Sequence, residues 1–349
     1  MRPVFDTHFH FTCEVPLHES VRILNETCEE CNVRELALLA LPTHGLSMDP
    51  VQNVQALGHK KLLFPRAFAL AGPMHNQALS EEEQAEDFVR QAKLYKAAGF
   101  DGLKMLEGKP SVFRMIGRKI DDPVFDPLYG YCEETNFPIV MHVGDPEEFW
   151  DLTRIDKYAL EHGWFCDESV PSFDDLQNSI FHLLDKHPNL TLVIAHWGFF
   201  SYHRERAEKF FTYKNTYIDV TPAPQEILTM TKELDFWRPF ILAHADRYLF
   251  GTDSYNCRTY HHRPRMMHNF FETGLDAKND YIGNIYCGIE APDEVIEKIY
   301  GENAHRILGA TPAPIDEALA RKMIEEARPK VAPGSFEEEE LNTLAELFK

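Results

Sequence analysis

The sequence predicts an α/β fold, a (β/α)8 TIM barrel with extra helices at its C-terminal end. Two observations favour this fold. Short apolar runs with the length of buried strands alternate with helical stretches, and several of these runs end in a histidine, a lysine or an aspartate. Runs without strict polar alternation are typical of parallel strands that are covered on both faces. The eight predicted strands are 4–10, 35–41, 62–70, 101–106, 137–143, 191–198, 216–222 and 248–254.

Helical patterns separate these predicted strands. Residues 82–98 have apolar positions at helical spacing and end before Gly99, residues 172–187 begin at a Ser172 cap, and residues 295–308 form a third amphipathic stretch. A doubly wound open sheet is the alternative architecture. A barrel gathers the C-terminal ends of its strands at one mouth, whereas an open sheet distributes them along an edge, so the polar strand ends favour the barrel.

Composition limits the classes of partner. With 56 acidic and 35 basic residues, the formal net charge is −21, which repels nucleic acid phosphates and anionic membranes. No apolar run approaches the ~18–20 residues that span a bilayer, and the N-terminal residues lack the pattern of a signal peptide. We therefore expect a cytoplasmic protein that binds neither nucleic acid nor membranes.

The chain is expected to divide into a catalytic barrel, residues 1–310, and a C-terminal helical extension packed on it, residues 311–349. The extension is acidic and weakly helical. Seven cysteines at irregular spacing argue against a disulfide framework. We interpret Cys28 and Cys31 as two thiols on the first helix rather than as a redox motif or half of a zinc site.

The most informative motif is Asp6-Thr7-His8-Phe9-His10, at the end of the first predicted strand. Residues two apart in a strand point to the same side, so His8 and His10 are predicted to face the barrel axis and to share one metal ion. Imidazole suits Zn²⁺, Fe²⁺ or Ni²⁺. Among 17 histidines such a pair arises easily by chance, and its significance comes from its position at a strand end.

Three further polar residues end apolar runs, namely His142, His196 and Asp253. Each one by itself could be a polar strand end that faces water. Together, at successive strand ends, these imidazoles and a carboxylate predict a site that binds a cation.

With these motifs the chain resembles the amidohydrolase superfamily, specifically amidohydrolase family 2, which includes aminocarboxymuconate semialdehyde decarboxylase and related metal-dependent hydrolases and lyases. The motifs that support the resemblance are Asp6–His10, Met141-His142, Ala195-His196-Trp197-Gly198, Phe250-Gly251-Thr252-Asp253-Ser254 and the closing Asn303–Gly309.

The resemblance implies that His8, His10 and His142 bind a single metal ion, usually zinc, with Asp253 as a further ligand or a general base. It implies that His196 acts as a base or an electrostatic stabiliser beside the metal-bound water. Members with two metals use the strand-six histidine on the second ion, together with a bridging carboxylated lysine or a glutamate.

The bridging position could be occupied by Lys104, but its sequence context equally fits a lysine that binds substrate, and we favour one metal. Ser254 follows Asp253 where this branch often has tryptophan, so the pocket floor is expected to differ.

The remaining site candidates are predicted to bind substrate. They are Lys104, Arg66, Asp145, Trp150 and Arg258. Arg258 belongs to a basic cluster, 258–265, that could clamp a carboxylate or phosphate, or could be a solvated loop paired with nearby acids. A small, acidic substrate is expected from this set, and a homodimer from the resemblance.

The favoured function is metal-dependent hydrolysis of a small carboxylated or cyclic amide, lactone or ester by a metal-activated water. The alternative is a metal-dependent lyase, a non-oxidative decarboxylase or hydratase of an unsaturated or aromatic acid. In the family, decarboxylases of aromatic acids often have glutamate in place of the first strand-one histidine, so His8 favours hydrolysis. A third hypothesis, a binding protein on the same scaffold, is disfavoured by the full ligand set.

Overall fold

The computed structural model describes residues 1–11, 15–42, 49–255, 262–278 and 285–349. Eight parallel strands pair in sequential order, β1 through β8, which confirms the predicted TIM barrel. They are β1 Val4–Phe9, β2 Val33–Leu39, β3 Ala67–Ala71, β4 Gly102–Gly108, β5 Ile139–Val143, β6 Leu192–Ile194, β7 Thr216–Asp219 and β8 Tyr248–Leu249. A separate antiparallel pair, β9 Asp276–Lys278 and β10 Ile285–Cys287, follows.

The barrel closes between its first strand and the segment after its last. Thr7 N–H donates to the Phe250 carbonyl at 2.9 Å, and His10 N–H donates to the Ser254 carbonyl at 2.7 Å. In the other direction, Asp253 N–H donates to the His8 carbonyl at 2.9 Å. These bonds fix the two metal-binding histidine candidates and Asp253 against each other through the backbone.

Helices connect the strands and surround them. They are α1 Leu17–Glu30, α2 Gln52–Leu63, α3 Glu81–Ala98, α4 Pro110–Ile116, α5 Asp126–Thr135, α6 Lys157–Glu161, α7 Phe173–Lys186, α8 Arg204–Phe210, α9 Pro224–Thr231, α10 Leu234–Ala243, α11 His262–Glu272, α12 Asp293–Glu297, α13 Asn303–Leu308, α14 Glu317–Ala327 and α15 Phe336–Leu347. A π-helical turn, Lys298–Glu302, joins α12 to α13. No described helix is long and apolar enough to cross a membrane.

Two of the predicted helices have the predicted boundaries, the end at Gly99 and the start at Ser172. Ser80 and Glu83 form a reciprocal capping box at the start of α3, and Gly99 ends that helix in the left-handed conformation. Ser172 accepts a hydrogen bond from Asp175 N–H at the start of α7. The local sequence therefore determines where these helices begin and end.

The third strand was predicted too early in the chain. Residues 62–70 were expected to form it, but Leu62 and Leu63 end α2, and β3 begins only at Ala67. The last apolar turn of the helix runs directly into the apolar strand, so periodicity could not separate them. Pro65, which lacks an amide hydrogen, marks the break.

The barrel interior is filled below its mouth by apolar side chains. They form a compact cluster that includes Phe5, Leu39, Phe68, Leu70, Val140, Val193 and Leu249, with Ala304 of α13 closing the bottom. A larger cluster fills the space between the strands and the helices. The polar groups at the mouth therefore lie above a packed apolar core, and the barrel interior is filled and is not an open pore.

The C-terminal helices pack on the barrel helices. Lys61 of α2 contacts Glu317 at 2.7 Å and the Leu347 carbonyl at 2.7 Å, and Gln55 donates to Glu340 at 3.0 Å. A side chain at Gly58 would collide with Leu344 of α15. The division into two domains at residue 310 stays a prediction.

Candidate active site and metal centre

A cavity of about 580 Å³ opens at the C-terminal ends of the strands. Seven of the predicted site residues are among those that line it: His8, His10, Lys104, His142, Asp145, His196 and Asp253. The sequential strand order gathers these side chains from β1, β4 and β5 and from the segments after β1, β5, β6 and β8. All of them come from the end of the barrel at which such folds place their chemistry.

The two strand-one imidazoles are buried and face each other. Their Nε2 atoms are 3.0 Å apart. His8 Nδ1 faces the carboxylate of Asp219, and His10 Nδ1 lies 3.0 Å from the Leu39 carbonyl. Because both Nδ1 atoms face acceptors, each Nδ1 bears a proton, and each Nε2 presents a lone pair to the cavity.

The carboxylate of Asp253 completes this group. Its Oδ1 lies 3.1 Å from His10 Nε2 and 3.7 Å from His8 Nε2. Its Oδ2 lies 2.9 Å from Arg263, whose guanidinium also donates to the Asp253 carbonyl. Burial would raise the pKa of Asp253, but Arg263 and the two imidazoles outweigh burial and hold this pKa well below its usual value. The carboxylate is therefore ionised at neutral pH.

Asp253 has a backbone φ of 52°, in the left-handed region that non-glycine residues rarely occupy. His196 and Trp197 are also left-handed, with φ of 56° and 58°. Such conformations cost free energy and are concentrated at functional sites. The left-handed residues at 196 and 197 also explain why predicted strand six, 191–198, was too long: β6 ends at Ile194, just before them.

The donor set fits a divalent metal ion. Two nitrogens that each lie about 2.0–2.1 Å from one tetrahedral zinc are about 3.3–3.4 Å apart. The three ligand-atom separations here, 3.0, 3.1 and 3.7 Å, bracket that value. Among the residues that the structure describes, His8, His10 and Asp253 form the one group of at least three such side chains that could hold a metal ion.

Asp219, at the end of β7, is a residue of the candidate site that the sequence argument missed. It is fully buried, its Oδ2 contacts His8 Nδ1, and its Oδ1 accepts a hydrogen bond from Thr221 N–H at 2.9 Å. Burial raises the pKa of this carboxyl, and Lys104 opposes the rise. The predicted seventh strand, 216–222, places Asp219 in the middle of the run, and only the structure shows that β7 ends there.

Lys104, on β4, lies beside His8. Its Nζ is 3.4 Å from His8 Nε2, and the side chain is buried. Burial lowers the pKa of this lysine to about 8, while Asp219 and Asp253 oppose the shift. The amine therefore lies in the cavity lining, and its role in binding substrate stays a prediction.

His196 and His142 lie next to each other. Their ring centroids are 4.7 Å apart, and the His196 ring is 5.5 Å from that of His8. His196 Nδ1 lies 3.1 Å from the Thr221 hydroxyl, and burial lowers its pKa well below the usual value. His196 is thus a neutral imidazole at the edge of the three-residue cluster.

His142 is placed at the mouth but outside that cluster. Its Nε2 donates to the Gly144 carbonyl at 2.8 Å, which leaves Nδ1 with the lone pair. Burial lowers the pKa of His142 to about 4, so the ring is neutral. Its role as a fourth metal ligand stays a prediction.

Asp145 lines the cavity together with Lys109, a cation that was not singled out from the sequence. Lys109 Nζ lies 2.8 Å from Asp145 Oδ1, and His142 Nε2 lies 3.4 Å from the same oxygen. Burial would raise the pKa of Asp145, but Lys109 and His142 lower it to about 2. Lys109 is therefore a second positively charged side chain at the mouth, after Lys104, and it is paired with Asp145.

Two predicted substrate-binding residues, Arg66 and Trp150, are not among the described residues that line the cavity. Arg66 precedes β3, at the opposite end of the barrel, near the buried Cys28. The error follows from the misplaced third strand. Trp150 packs against Phe173 and donates its indole N–H to the Pro171 carbonyl at 3.1 Å. Arg258 lies outside the described residues.

Comparison with known proteins agrees with this arrangement. A family model described as amidohydrolase matches residues 59–310, which is more than half of the chain. The chain belongs to the amidohydrolase family. Members of this family are metal-dependent enzymes that act on small molecules, and the cluster of His8, His10 and Asp253 is the candidate metal site of this member. A search of curated proteins found no significant match.

Solved structures of amidohydrolase type share the fold at low sequence identity. An uncharacterized TIM-barrel protein from Bordetella bronchiseptica is 14% identical, with a TM-score of 0.58, over 91% of this chain and 99% of that one. A 4-oxalomesaconate hydratase from Rhodopseudomonas palustris is 14% identical, with a TM-score of 0.53, over 94% and 99%. A 2,6-dihydroxybenzoate decarboxylase from Rhizobium is 16% identical, with a TM-score of 0.51, over 88% and 99%.

Proposed function

We propose that this amidohydrolase is a zinc-dependent hydrolase of a small carboxylated or cyclic amide, lactone or ester. The observation that supports it is the convergence of three lone-pair donors, His8 Nε2, His10 Nε2 and Asp253 Oδ1, within 3.0–3.7 Å of each other. Such a group is electrostatically unfavourable unless a cation or a proton lies among them. Two imidazoles and one carboxylate are a donor set that zinc prefers.

A proton on His10 Nε2 is the alternative to a metal ion, because it would donate to Asp253 Oδ1 at 3.1 Å. It would leave the His8 Nε2 lone pair facing Lys104 Nζ at 3.4 Å, at the long end of hydrogen-bond distances. A metal ion satisfies all three atoms at once. We propose one metal, with His142 as a fourth ligand through Nδ1.

When bound, zinc supplies a water of lowered pKa and polarises a carbonyl. The chain's own residues supply the rest of the chemistry. Asp253 is ionised and can accept a proton, and its Oδ2 stays with Arg263 while Oδ1 faces the cluster. His196, a neutral imidazole, can exchange a proton or donate to a developing oxyanion.

Lys104 favours an acidic substrate. The cavity is lined by three basic side chains, Lys104, Lys109 and Arg263, but Lys109 pairs with Asp145 at 2.8 Å and Arg263 with Asp253 at 2.9 Å. A buried amine such as Lys104 gives a stronger contact to a carboxylate than an exposed one, because water does not screen it. We place a substrate carboxylate at Lys104.

The second candidate function is a lyase on the same residues, a non-oxidative decarboxylase or a hydratase. The structural likeness to a 2,6-dihydroxybenzoate decarboxylase and a 4-oxalomesaconate hydratase favours it, although at 14–16% identity that likeness extends only to the fold. In this reading Lys104 and the metal ion would bind the carboxylate that is lost. His8 remains the reason to prefer hydrolysis.

Metal content tests both candidates together, and isotopes separate them. Protein expressed with added zinc is expected to contain close to one equivalent by inductively coupled plasma mass spectrometry. With a panel of lactones, amides, unsaturated acids and aromatic acids in H₂¹⁸O, a hydrolase places ¹⁸O in a newly formed carboxylate, a hydratase places it in a new hydroxyl group, and a decarboxylase releases CO₂ from the substrate. Metal-free protein after zinc-replete expression would eliminate both functions, and two equivalents would contradict the one-metal site.

A further inference from the structure

The segment after β5 exposes apolar side chains at the rim of the cavity. Of the seven large hydrophobic residues that are exposed among those described, four lie within residues 152–164. They are Leu152, Tyr158, Leu160 and Trp164. Single exposed apolar residues are ordinary on a protein surface, but a contiguous group of them marks a site that binds something.

Two of these four side chains, Tyr158 and Trp164, also line the cavity. Tyr158 is 46% exposed and Trp164 is 43% exposed, so roughly half of each side chain remains uncovered at the mouth. Their ring centroids are 5.6 Å apart at an interplanar angle of 73°. Phe149, also in the lining, stacks on Trp164 at 6.0 Å and 28°. An aromatic surface thus continues from the cavity wall to its rim.

The segment that presents these rings is firmly anchored. Phe149, Ala159, Cys166 and Val170 form a small buried cluster beneath it. Arg114 of α4 donates to the Phe165 carbonyl at 2.9 Å and to the Ser169 hydroxyl at 3.1 Å. A surface that is held in place before a ligand arrives loses less entropy when it binds one.

We propose that Trp164 and Tyr158 form a stacking subsite for a planar aromatic or conjugated group of the substrate, remote from the metal centre. The inference depends on the proposed function for the identity of the reacting end, which lies at the strand ends beside Lys104. A cavity of about 580 Å³ falls in the range of ~300–1,000 Å³ that drug-sized ligands occupy. Offset-stacked and edge-to-face contacts between aromatic rings are favourable beyond the area that they bury.

The test uses 2-naphthoate and its saturated counterpart, decahydro-2-naphthoate, with zinc-loaded protein and isothermal titration calorimetry. These two acids share a carboxylate and a carbon skeleton but differ in planarity. Trp164→Ala is expected to weaken the binding of 2-naphthoate about three- to tenfold and that of the saturated acid less than about twofold. Trp164→Phe, which keeps an aromatic ring, is expected to restore most of the affinity for 2-naphthoate.

Leu160→Ala provides the matched control, because Leu160 is 45% exposed on α6 and is not among the residues that line the cavity. We expect it to leave both affinities within about twofold. The proposal is overturned if Trp164→Ala weakens both acids equally, if it has no more effect than Leu160→Ala, or if the wild-type protein does not prefer 2-naphthoate.

Sedimentation velocity on the same variants identifies the competing occupant, a second copy of this chain. If Trp164→Ala dissociates a dimer, the aromatic surface is a subunit contact and the subsite is rejected. Because these measurements need no turnover, they can succeed even if the isotope experiments reject hydrolysis and decarboxylation. They can also fail while the proposed reaction is confirmed.

Discussion

Asp219 is predicted to control metal binding without being a ligand. Its two carboxylate oxygens accept two different hydrogen bonds, one from His8 Nδ1 and one from Thr221 N–H. In Asp219→Asn only one acceptor oxygen remains. If the Thr221 amide keeps it, the new NH₂ group faces His8 Nδ1 and favours the tautomer with its proton on Nε2. That proton would occupy the lone pair that the metal needs.

The expected size of the effect follows from the position of this contact. Loss of a partner that orients a metal-binding histidine typically lowers metal affinity about 10–100-fold, which is about 1.4–2.7 kcal/mol. Asp219 is fully buried, so water cannot replace the lost acceptor, and we expect the upper half of that range. Zinc affinity is measured by competition with a chromophoric chelator, alongside circular dichroism to verify the fold.

Asp6→Asn is the matched control for this prediction. Asp6 is also fully buried, but its carboxylate accepts from the Thr252 hydroxyl, Thr252 N–H and His8 N–H, and from no imidazole ring. The Asp6→Asn variant is expected to lower the free energy of unfolding, and to change the free energy of zinc binding by a smaller amount. If Asp219→Asn binds zinc as tightly as the wild-type protein, or if both variants lose equal affinity, the tautomer argument is refuted.

Three other predictions follow from the same structure. His8→Ala is expected to lower zinc content to near zero, whereas His196→Asn keeps most of the zinc and reduces turnover at least tenfold; loss of zinc in both would favour a two-metal site. Arg263→Gln releases Asp253 Oδ2, and we expect kcat to fall about 10–100-fold with KM nearly unchanged. An equal loss of kcat in Lys109→Gln would argue against a specific role for Arg263. Burial lowers the pKa of His59 to about 4, below the unfolded value of about 6.5. The contribution of the neutral His59 ring to the free energy of unfolding is therefore present above pH 6.5 and is lost as the pH falls towards 4. Between pH 7 and pH 5 this loss amounts to about 2 kcal/mol, and urea titrations of chelator-treated wild type and His59→Gln should differ by that amount in their pH dependence. Equal pH dependence in the two proteins would show that His59 is not responsible.

The location of polar residues at the strand ends could be predicted because the packing of parallel strands in a barrel is strongly constrained. Both faces of each strand are covered, so apolar runs stand out, and the barrel gathers their ends at one mouth. His8, His10 and Asp253 could therefore be predicted to lie together, although almost 250 positions of sequence separate the histidines from the aspartate. Asp219 could not be predicted in this way, because it lies in the middle of the predicted strand 216–222, whereas β7 in fact ends at Asp219.

Other features depend on geometry that the sequence does not display. His196 and Asp253 both have left-handed backbone, which no periodic pattern predicts, and β6 ends just before His196. Arg66 was misassigned because a helix end and a strand formed one apolar run. Trp150 and Trp164 occupy the same loop, and only the folded structure shows that Trp164, not Trp150, lines the cavity.

The cation at the barrel mouth is tested most directly by anomalous X-ray scattering at the zinc absorption edge, from crystals of zinc-loaded protein. We predict one peak, about 2.0–2.2 Å from His8 Nε2, His10 Nε2 and Asp253 Oδ1. A map without a peak between these atoms, or with a peak bound by other residues, would contradict the proposed metal centre.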